Sequence, residues 1–254
     1  MIEGLRLWLA GTNAWIVAPA GKGGECVLID APPEPRVILS RLREHGLTLV
    51  ALLTTHGHVD HIGGIGEVVA HAHDGMVTPA GGGGGGGGGG RRAEPPASGI
   101  IPVHLHHADR QMLFDPLGSG GTLAQMLDME NLRTPPPETV FGLDDGQKVA
   151  GAGMTFTALH TPGHTQGSVC FLLELDGEPP MLFSGDHLFA GSIGRTDLPG
   201  GSYEQLMTSM AEKILPLADD VVVFPGHGGT TTIGQERRTN PFLIREFGRG
   251  DEAV

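Results

Sequence analysis

Apolar residues along this chain come in short, punctuated runs rather than in long helical stripes. The runs over residues 5–9, 14–18 and 26–29 are separated by glycine-rich turns, a spacing that predicts an antiparallel meander. Pro32-Pro33 ends that pattern. Residues 34–45 then place Val37, Leu39 and Leu42 among the apolar positions of a helix, with Gly46 as its stop. Residues 47–53 form a continuous apolar run, the mark of a buried strand, which ends at Thr54-Thr55-His56. A short helix is predicted over 63–73, and regular structure resumes over 100–105. The segments 139–149, 154–159, 168–175, 181–184 and 221–224 read as strands. Residues 202–215 read as a helix with Ser202 as N-cap, and a last helix starts near Gly234. The stretch 114–137 is loop-rich and is expected to form a flexible wall over the site.

One pattern recurs. Apolar strands stop abruptly at His or Asp: Leu53 before His56, Leu159 before His160 and on to His164, Phe183 before Asp186, and Phe224 before His227. Strand ends along one sheet edge are where ligands and metals gather.

The rest of the composition narrows the class. The 254 residues fit one domain, 1–254, broken only by an irregular segment at about 75–99 that holds ten consecutive glycines, Gly81 to Gly90. Such a tract has no side chains to bury and loses much entropy if ordered, so it reads as a flexible surface insertion. The formal charge of −13, with no Lys/Arg run longer than a pair, repels phosphate backbones and anionic membranes. Neither a nucleic-acid nor a membrane partner is expected, and no oligomeric state is implied. The two cysteines, Cys26 and Cys170, sit inside apolar strands as small hydrophobes, without a disulfide framework. With no secretory pattern at the N-terminus and no apolar run near the ~20 residues of a membrane span, a cytoplasmic location is expected.

The segment that carries chemistry is His56-Gly57-His58-Val59-Asp60-His61. Imidazole is the commonest protein ligand for zinc-like ions, and a carboxylate offsets their charge. Three His and one Asp within six residues do not easily address one tetrahedral ion. They serve two ions if the segment turns sharply, which Gly57 and Gly63-Gly64 permit.

The motif His56-x-His58-x-Asp60-His61 resembles the metal motif of the metallo-β-lactamase superfamily. Thr161-Pro162-Gly163-His164-Thr165, Phe183-Ser184-Gly185-Asp186 and Pro225-Gly226-His227-Gly228 resemble its further motifs, in order. The resemblance implies an α/β fold, the αβ/βα four-layer sandwich. It also implies a first metal on His56, His58 and His164, a second on Asp60, His61 and His227, and Asp186 bridging both. The cofactors would be two divalent ions, with zinc expected and iron or manganese as alternatives. Two such ions turn water into hydroxide near neutral pH, and the hydroxide attacks a carbonyl while the other ion stabilises charge. Asp60 is then a ligand, a proton acceptor, or both.

The segments Gly194-Arg195-Thr196-Asp197-Leu198-Pro199-Gly200-Gly201 and Thr230 to Arg237 resemble the glyoxalase II-like branch (hydroxyacylglutathione hydrolase), which cleaves thioesters. A small-molecule thioester substrate is therefore expected. Typical members add a C-terminal helical region that contacts glutathione, and few residues follow Phe247, so the thiol carrier stays open. Arg195 either holds a substrate carboxylate or pairs with Asp197. Asp30, at a strand end, either orients a metal-bound His or caps its strand. The alternative activity is that of a mono-iron persulfide dioxygenase of the same fold, with iron on His56, His164 and Asp186. That branch carries a Pro-Ala-His-Asp-Tyr-like end, and Pro225-Gly226-His227-Gly228 departs from it toward the hydrolase. His104, His106, His107, His160 and His187 read as surface or core residues, and His45, His71 and His73 as solvated helix residues.

Overall fold

The computed structural model describes residues 1–74, 99–116, 121–129 and 134–248. Apart from Gly99, the glycine-rich insertion lies outside the described residues, as do parts of the stretch 114–137.

Six strands make the first sheet, in the order β1 (Ile2–Leu7), β2 (Thr12–Val17), β3 (Glu25–Ile29), β4 (Thr48–Leu53), β5 (Val103–His106) and β6 (Val140–Leu143). The first three form the expected antiparallel meander, and β3 to β6 run parallel. Parallel neighbours need a crossover. Helix α1 (Pro35–His45) supplies the one from β3 to β4, and it stops at Gly46, whose φ of 62° is the left-handed conformation that glycine adopts freely. After β4 come α2 (Val59–Ile62), a single turn not expected from the sequence, and α3 (Ile65–His71), the short helix expected over 63–73.

The second sheet uses β7 (Lys148–Gly151), β8 (Met154–His160), β9 (Val169–Leu173) and β10 (Met181–Gly185). A two-stranded ribbon follows, β11 (Leu188–Phe189) and β12 (Ser192–Ile193), and then β13 (Val222–Pro225) and β14 (Thr231–Thr232), giving the sheet order β14-β13-β10-β9-β8-β7. Helix α5 (Tyr203–Ser209) continues into one π-helical stretch, Met210–Ile214, and Ser202 caps its start by accepting from the Gln205 amide. The last helix is broken: α6 (Ile233–Thr239) gives way at Asn240 to α7 (Pro241–Phe247), because Pro241 cannot continue the helical hydrogen bonding.

Alternation explains the layers. Val27, Ile29, Ala51 and Leu53 face the second sheet and meet Phe156, Phe171 and Phe183. Their neighbours Leu28 and Leu52 face the other way, onto Ile38 and Leu42 of α1 and Val68 of α3. On the far side, Cys170 and Leu182 pack against Leu206 of α5, Ile233 of α6 and Leu243 of α7. With both faces of both sheets covered, the strands read as unbroken apolar runs. The result is the helix–sheet–sheet–helix sandwich expected from the motifs. Phe156, Phe171 and Phe183 are fully buried at its centre, each contributing about 1.5–3 kcal/mol of transfer free energy.

Three local expectations need correction. Residues 139–149 are not one strand: β6 pairs with β5 in the first sheet, β7 pairs with β8 in the second, and the turn at Asp144-Asp145-Gly146 moves the chain between layers. The apolar pattern was continuous because both halves are strand; only the pairing partner changes. The stretch 114–137 is not all loop, since it contains α4 (Gly121–Met129). Nor are His45 and His73 solvated: His45 lies 2.8 Å from Glu3, and His73 Nε2 lies 2.9 Å from the Leu49 carbonyl. Among the described residues no helix is long and apolar enough to cross a membrane.

Because β8, β10 and β13 point the same way in the second sheet, their C-terminal ends share one edge. The end of β4 meets that edge from the first sheet, where the Val169 amide donates to the Thr55 carbonyl at 2.8 Å. The edge is closed from the other side by β2, whose Asn13 amide donates to the Gly226 carbonyl at 2.7 Å.

Candidate metal centre

All seven residues expected as metal ligands converge on this edge. His56 follows β4, His58 is the N-cap of α2, and Asp60 and His61 lie in its first turn. His164 follows β8, Asp186 follows β10, and His227 follows β13.

Two clusters result. In the first, His56 Nε2 lies 3.1 Å from His58 Nδ1 and 3.1 Å from His164 Nε2, and His58 Nδ1 lies 2.8 Å from His164 Nε2. Three ring nitrogens that close to one another match the roughly 3.3 Å ligand spacing that follows from tetrahedral metal–nitrogen bonds of about 2.0–2.1 Å. In the second, His227 Nε2 is 3.4 Å and His61 Nε2 is 3.6 Å from Asp60 Oδ2. Asp186 lies between them: Oδ1 is 3.3 Å from His61, while Oδ2 is 3.3 Å from His227 and 3.6 Å from His164. His61 Nε2 and Asp186 Oδ1 are buried without a hydrogen-bond partner. A buried polar atom of that kind is costly unless an ion or water meets it. The donor set, imidazole plus carboxylate, therefore fits divalent metal ions on both clusters.

The far sides of the rings are held. His61 Nδ1 donates to Asp30 Oδ2 at 2.7 Å. The same Asp30 oxygen accepts from the Thr55 hydroxyl at 2.7 Å, and that hydroxyl lies 3.1 Å from His56 Nδ1. His164 Nδ1 donates to the Arg195 carbonyl at 2.7 Å. Each bond fixes a tautomer and turns Nε2 inward. Asp30 thus takes the orienting role rather than only capping its strand.

Charge is divided unevenly. Burial holds His56 well below the usual imidazole range, reinforced by His61, His164 and His58, and it holds His58 at about 3. Burial also disfavours a charged His61, but Asp186, Asp60 and Asp30 outweigh it and raise that ring well above its ordinary value. The same competition, won by Asp186 and Asp60, raises His227 to about 9. Asp186 and Asp60 would be raised by burial, yet His61 and His227 hold both carboxyls below the carboxylate range. The two lowered rings, His56 and His58, therefore lie in the first cluster, and the two raised ones, His61 and His227, in the second.

The chain matches the metallo-beta-lactamase superfamily over residues 7–227. It belongs to that superfamily. A relative from Haemophilus influenzae, hydroxyacylglutathione hydrolase GloC, is 34% identical over 237 residues, covering 93% of this chain and 90% of its own. A probable metallo-hydrolase of Bacillus subtilis, YqgX, is 33% identical over 219 residues, covering 86% of this chain and 87% of its own. Among solved structures, BLEG-1, a B3 metallo-beta-lactamase, has 32% identity and a TM-score of 0.73, covering 96% of this chain and 99% of that one. The similarity to GloC bears out the glyoxalase II-like branch expected from the segment after Asp186. Divalent metals follow from the superfamily and the two clusters, and a di-iron form of one relative, TTHA1623, is known at 32% identity and a TM-score of 0.69, over 95% of this chain and 100% of that one.

Within this superfamily frame, a cleft of about 330 Å³ opens over the clusters. Its outer wall is apolar: Val59, Leu123, Phe189, Ile193 and Leu198. Arg195 also lines it, but its guanidinium is bidentate to Asp197 at 2.7 and 2.8 Å. Of the two roles weighed for Arg195, the structure displays the ion pair. Both cysteines are buried and free, and burial pushes each thiol to about 12, which leaves them inert.

Asp109 escaped the sequence reading. It lies in a 3-10 helix, His107–Leu113, far in sequence from every motif, yet it is fully buried against the histidine loops. A lone Asp in a polar stretch carries no signal that distinguishes it from a surface residue.

Proposed function

We propose that this protein is a binuclear metallohydrolase that cleaves a small-molecule thioester. His56, His58 and His164 would hold one ion and Asp60, His61 and His227 the other, with Asp186 within reach of both. The observation that carries this reading is the position of Asp186, with one carboxylate oxygen toward His61 and the other toward both His164 and His227.

Divalent ions held there supply an acidified water and a Lewis acid. The chain's own residues do the rest. Asp60, ionised and fixed by the Thr12 hydroxyl at 2.9 Å, accepts the proton released as water adds to the carbonyl. His227, the most exposed of the seven at 28%, stands at the mouth of the site, where the leaving thiol departs. The apolar wall of Phe189, Ile193 and Leu198 seats the organic part of the substrate and excludes water from it. Similarity to GloC supports a hydroxyacyl thioester as the substrate class. A complete second cluster favours this reading over a one-iron dioxygenase, which would leave Asp60, His61 and His227 without a task. Zinc is the expected metal, with iron or manganese as alternatives, since His and carboxylate suit all three. Two buried, unbridged cysteines fit a reducing cytoplasmic setting.

The test is metal content per chain together with S-lactoylglutathione hydrolysis, for the natural protein and Asp186→Ala. Two ions per chain with turnover, and a loss of at least about a hundredfold (~2.7 kcal/mol) in the variant, support the reading. One iron per chain with oxygen uptake on a persulfide and no thioester cleavage would replace it.

A further inference from the structure

The first cluster is assembled from two loops that belong to different sheets. His56 and His58 follow β4, and His164 follows β8. Among the described residues the nearest backbone bond between the two loops is the one from the Val169 amide to the Thr55 carbonyl at 2.8 Å, two residues from Gly57 and from Gly167, yet His58 and His164 meet to within 2.8 Å.

Asp109 spans that gap. Its Oδ2 accepts from the Gly57 amide at 2.8 Å and from the Thr165 hydroxyl at 2.6 Å. Its Oδ1 accepts from the Gly167 amide at 2.8 Å. The Thr165 hydroxyl also lies 2.8 Å from the Ser168 hydroxyl, which in turn accepts from the Thr165 amide at 3.0 Å. Gly167 is packed onto the aspartate, and Gly57 onto Met112 and the aspartate together. A Cβ on Gly57 would lie 3.0 Å from Asp109 Cβ, and one on Gly167 would lie 2.6 Å from Asp109 Cγ. A side chain at Gly167 would prise its loop off the carboxylate. Asp109 itself is fully buried, and no Lys or Arg among the described residues pairs with it. A carboxylate is worth burying without a cation only where several donors converge on it.

We propose that Asp109 is a positioning residue for the first metal position, a staple that holds the His56-Gly57-His58 turn against the His164 loop and so sets the spacing of the three ring nitrogens. This rests on the reading of His56, His58 and His164 as ligands. Among the described residues Asp109 makes no hydrogen bond to a ligand side chain. Its action passes through the backbone of Gly57 and Gly167 and through Thr165. Charge-assisted bonds to two backbone amides are directional and strong, so removing them frees the two loops to relax apart.

Asp109→Asn tests this with little change in volume. Whichever way the amide is turned, its NH2 group faces the Gly57 or the Gly167 N–H and one of the two backbone bonds is lost. Thr165→Val removes the hydroxyl arm and its contact with Ser168 but leaves both backbone bonds to Asp109, and Thr165→Ser keeps the hydroxyl. The readout is zinc bound per chain in metal-buffered solution across a range of free zinc, alongside the unfolding midpoint of the metal-free protein. For Asp109→Asn, one of the two zinc ions should bind about 10–100-fold more weakly while the other is unchanged. Thioester turnover should return at high free zinc. Thr165→Val should show the same selective weakening, and Thr165→Ser the natural affinity. Unchanged affinity for both ions in the two weakened variants overturns the proposal, as does an equal loss of both ions. If Asp109→Asn does not fold, the Thr165 pair decides alone. A natural protein that binds no zinc, iron or manganese would instead overturn the ligand reading itself.

Discussion

His61 donates from Nδ1 to Asp30 Oδ2 at 2.7 Å, and Asp30 makes that contact from a left-handed backbone conformation with φ of 60°. A non-glycine residue held there is uncommon, though Asp and Asn tolerate it best. Here the conformation lets one carboxylate reach His61, the Thr55 amide and the Thr55 hydroxyl together. Asp30→Asn keeps the backbone preference and loses the negative charge and one acceptor. Metal affinity should fall about 10–100-fold with the fold intact. Equilibrium dialysis against buffered zinc, with circular dichroism as the control for folding, measures it.

Gly226 precedes the last ligand at a place with no room for a side chain. A Cβ there would press on Asp186 Oδ1 and lie 2.7 Å from His61 Cε1. Gly226→Ala should therefore displace two ligands rather than unfold the domain. We expect activity to fall at least about tenfold, equivalent to ~1.4 kcal/mol of barrier, with bound metal lost in parallel. A variant with full metal content and full turnover would show that the edge is more yielding than its packing implies.

Arg195 and Asp197 form an exposed pair, with side chains 57% and 69% accessible. Exposed pairs contribute little, so Arg195→Ala should change stability by less than about 1 kcal/mol. Because Asp197 already occupies the guanidinium, KM for an anionic thioester should change less than about threefold, as measured by steady-state kinetics. A tenfold rise in KM for anionic but not neutral thioesters would mean that the guanidinium leaves Asp197 for the substrate.

Acid should weaken the fold through His106. This ring is buried, stacks on His160 with centroids 4.0 Å apart, and its Nδ1 accepts from the Ala108 amide at 3.3 Å. Burial, with His160 and His107 nearby, lowers it to about 4. The unfolded chain binds this proton near pH 6.5 and the folded one only near 4, so stability from this group is intact above about 6.5 and declines as pH falls toward 4. The loss should be on the order of 1–3 kcal/mol. Urea unfolding at pH 7 and pH 4.5 should show a smaller difference in His106→Asn than in the natural protein.

The sequence by itself marked the candidate ligands, because metal chemistry selects residue types that are rare together, the family motifs repeat them in order, and the chain delivers them at strand ends. His56 to His61, His164, Asp186 and His227 were legible for that reason, and so were the sandwich implied by their order and the strands buried on both faces. Tertiary structure alone decided what lies between the motifs. The run 139–149 divides between two sheets because strand pattern encodes burial and not the identity of the partner strand. The roles of Asp30 and Arg195 hung on which neighbour came within hydrogen-bond reach. Asp109 became visible only in space: its partners are 52, 56 and 58 residues away along the chain, and no local periodicity records a contact made by folding two sheets face to face.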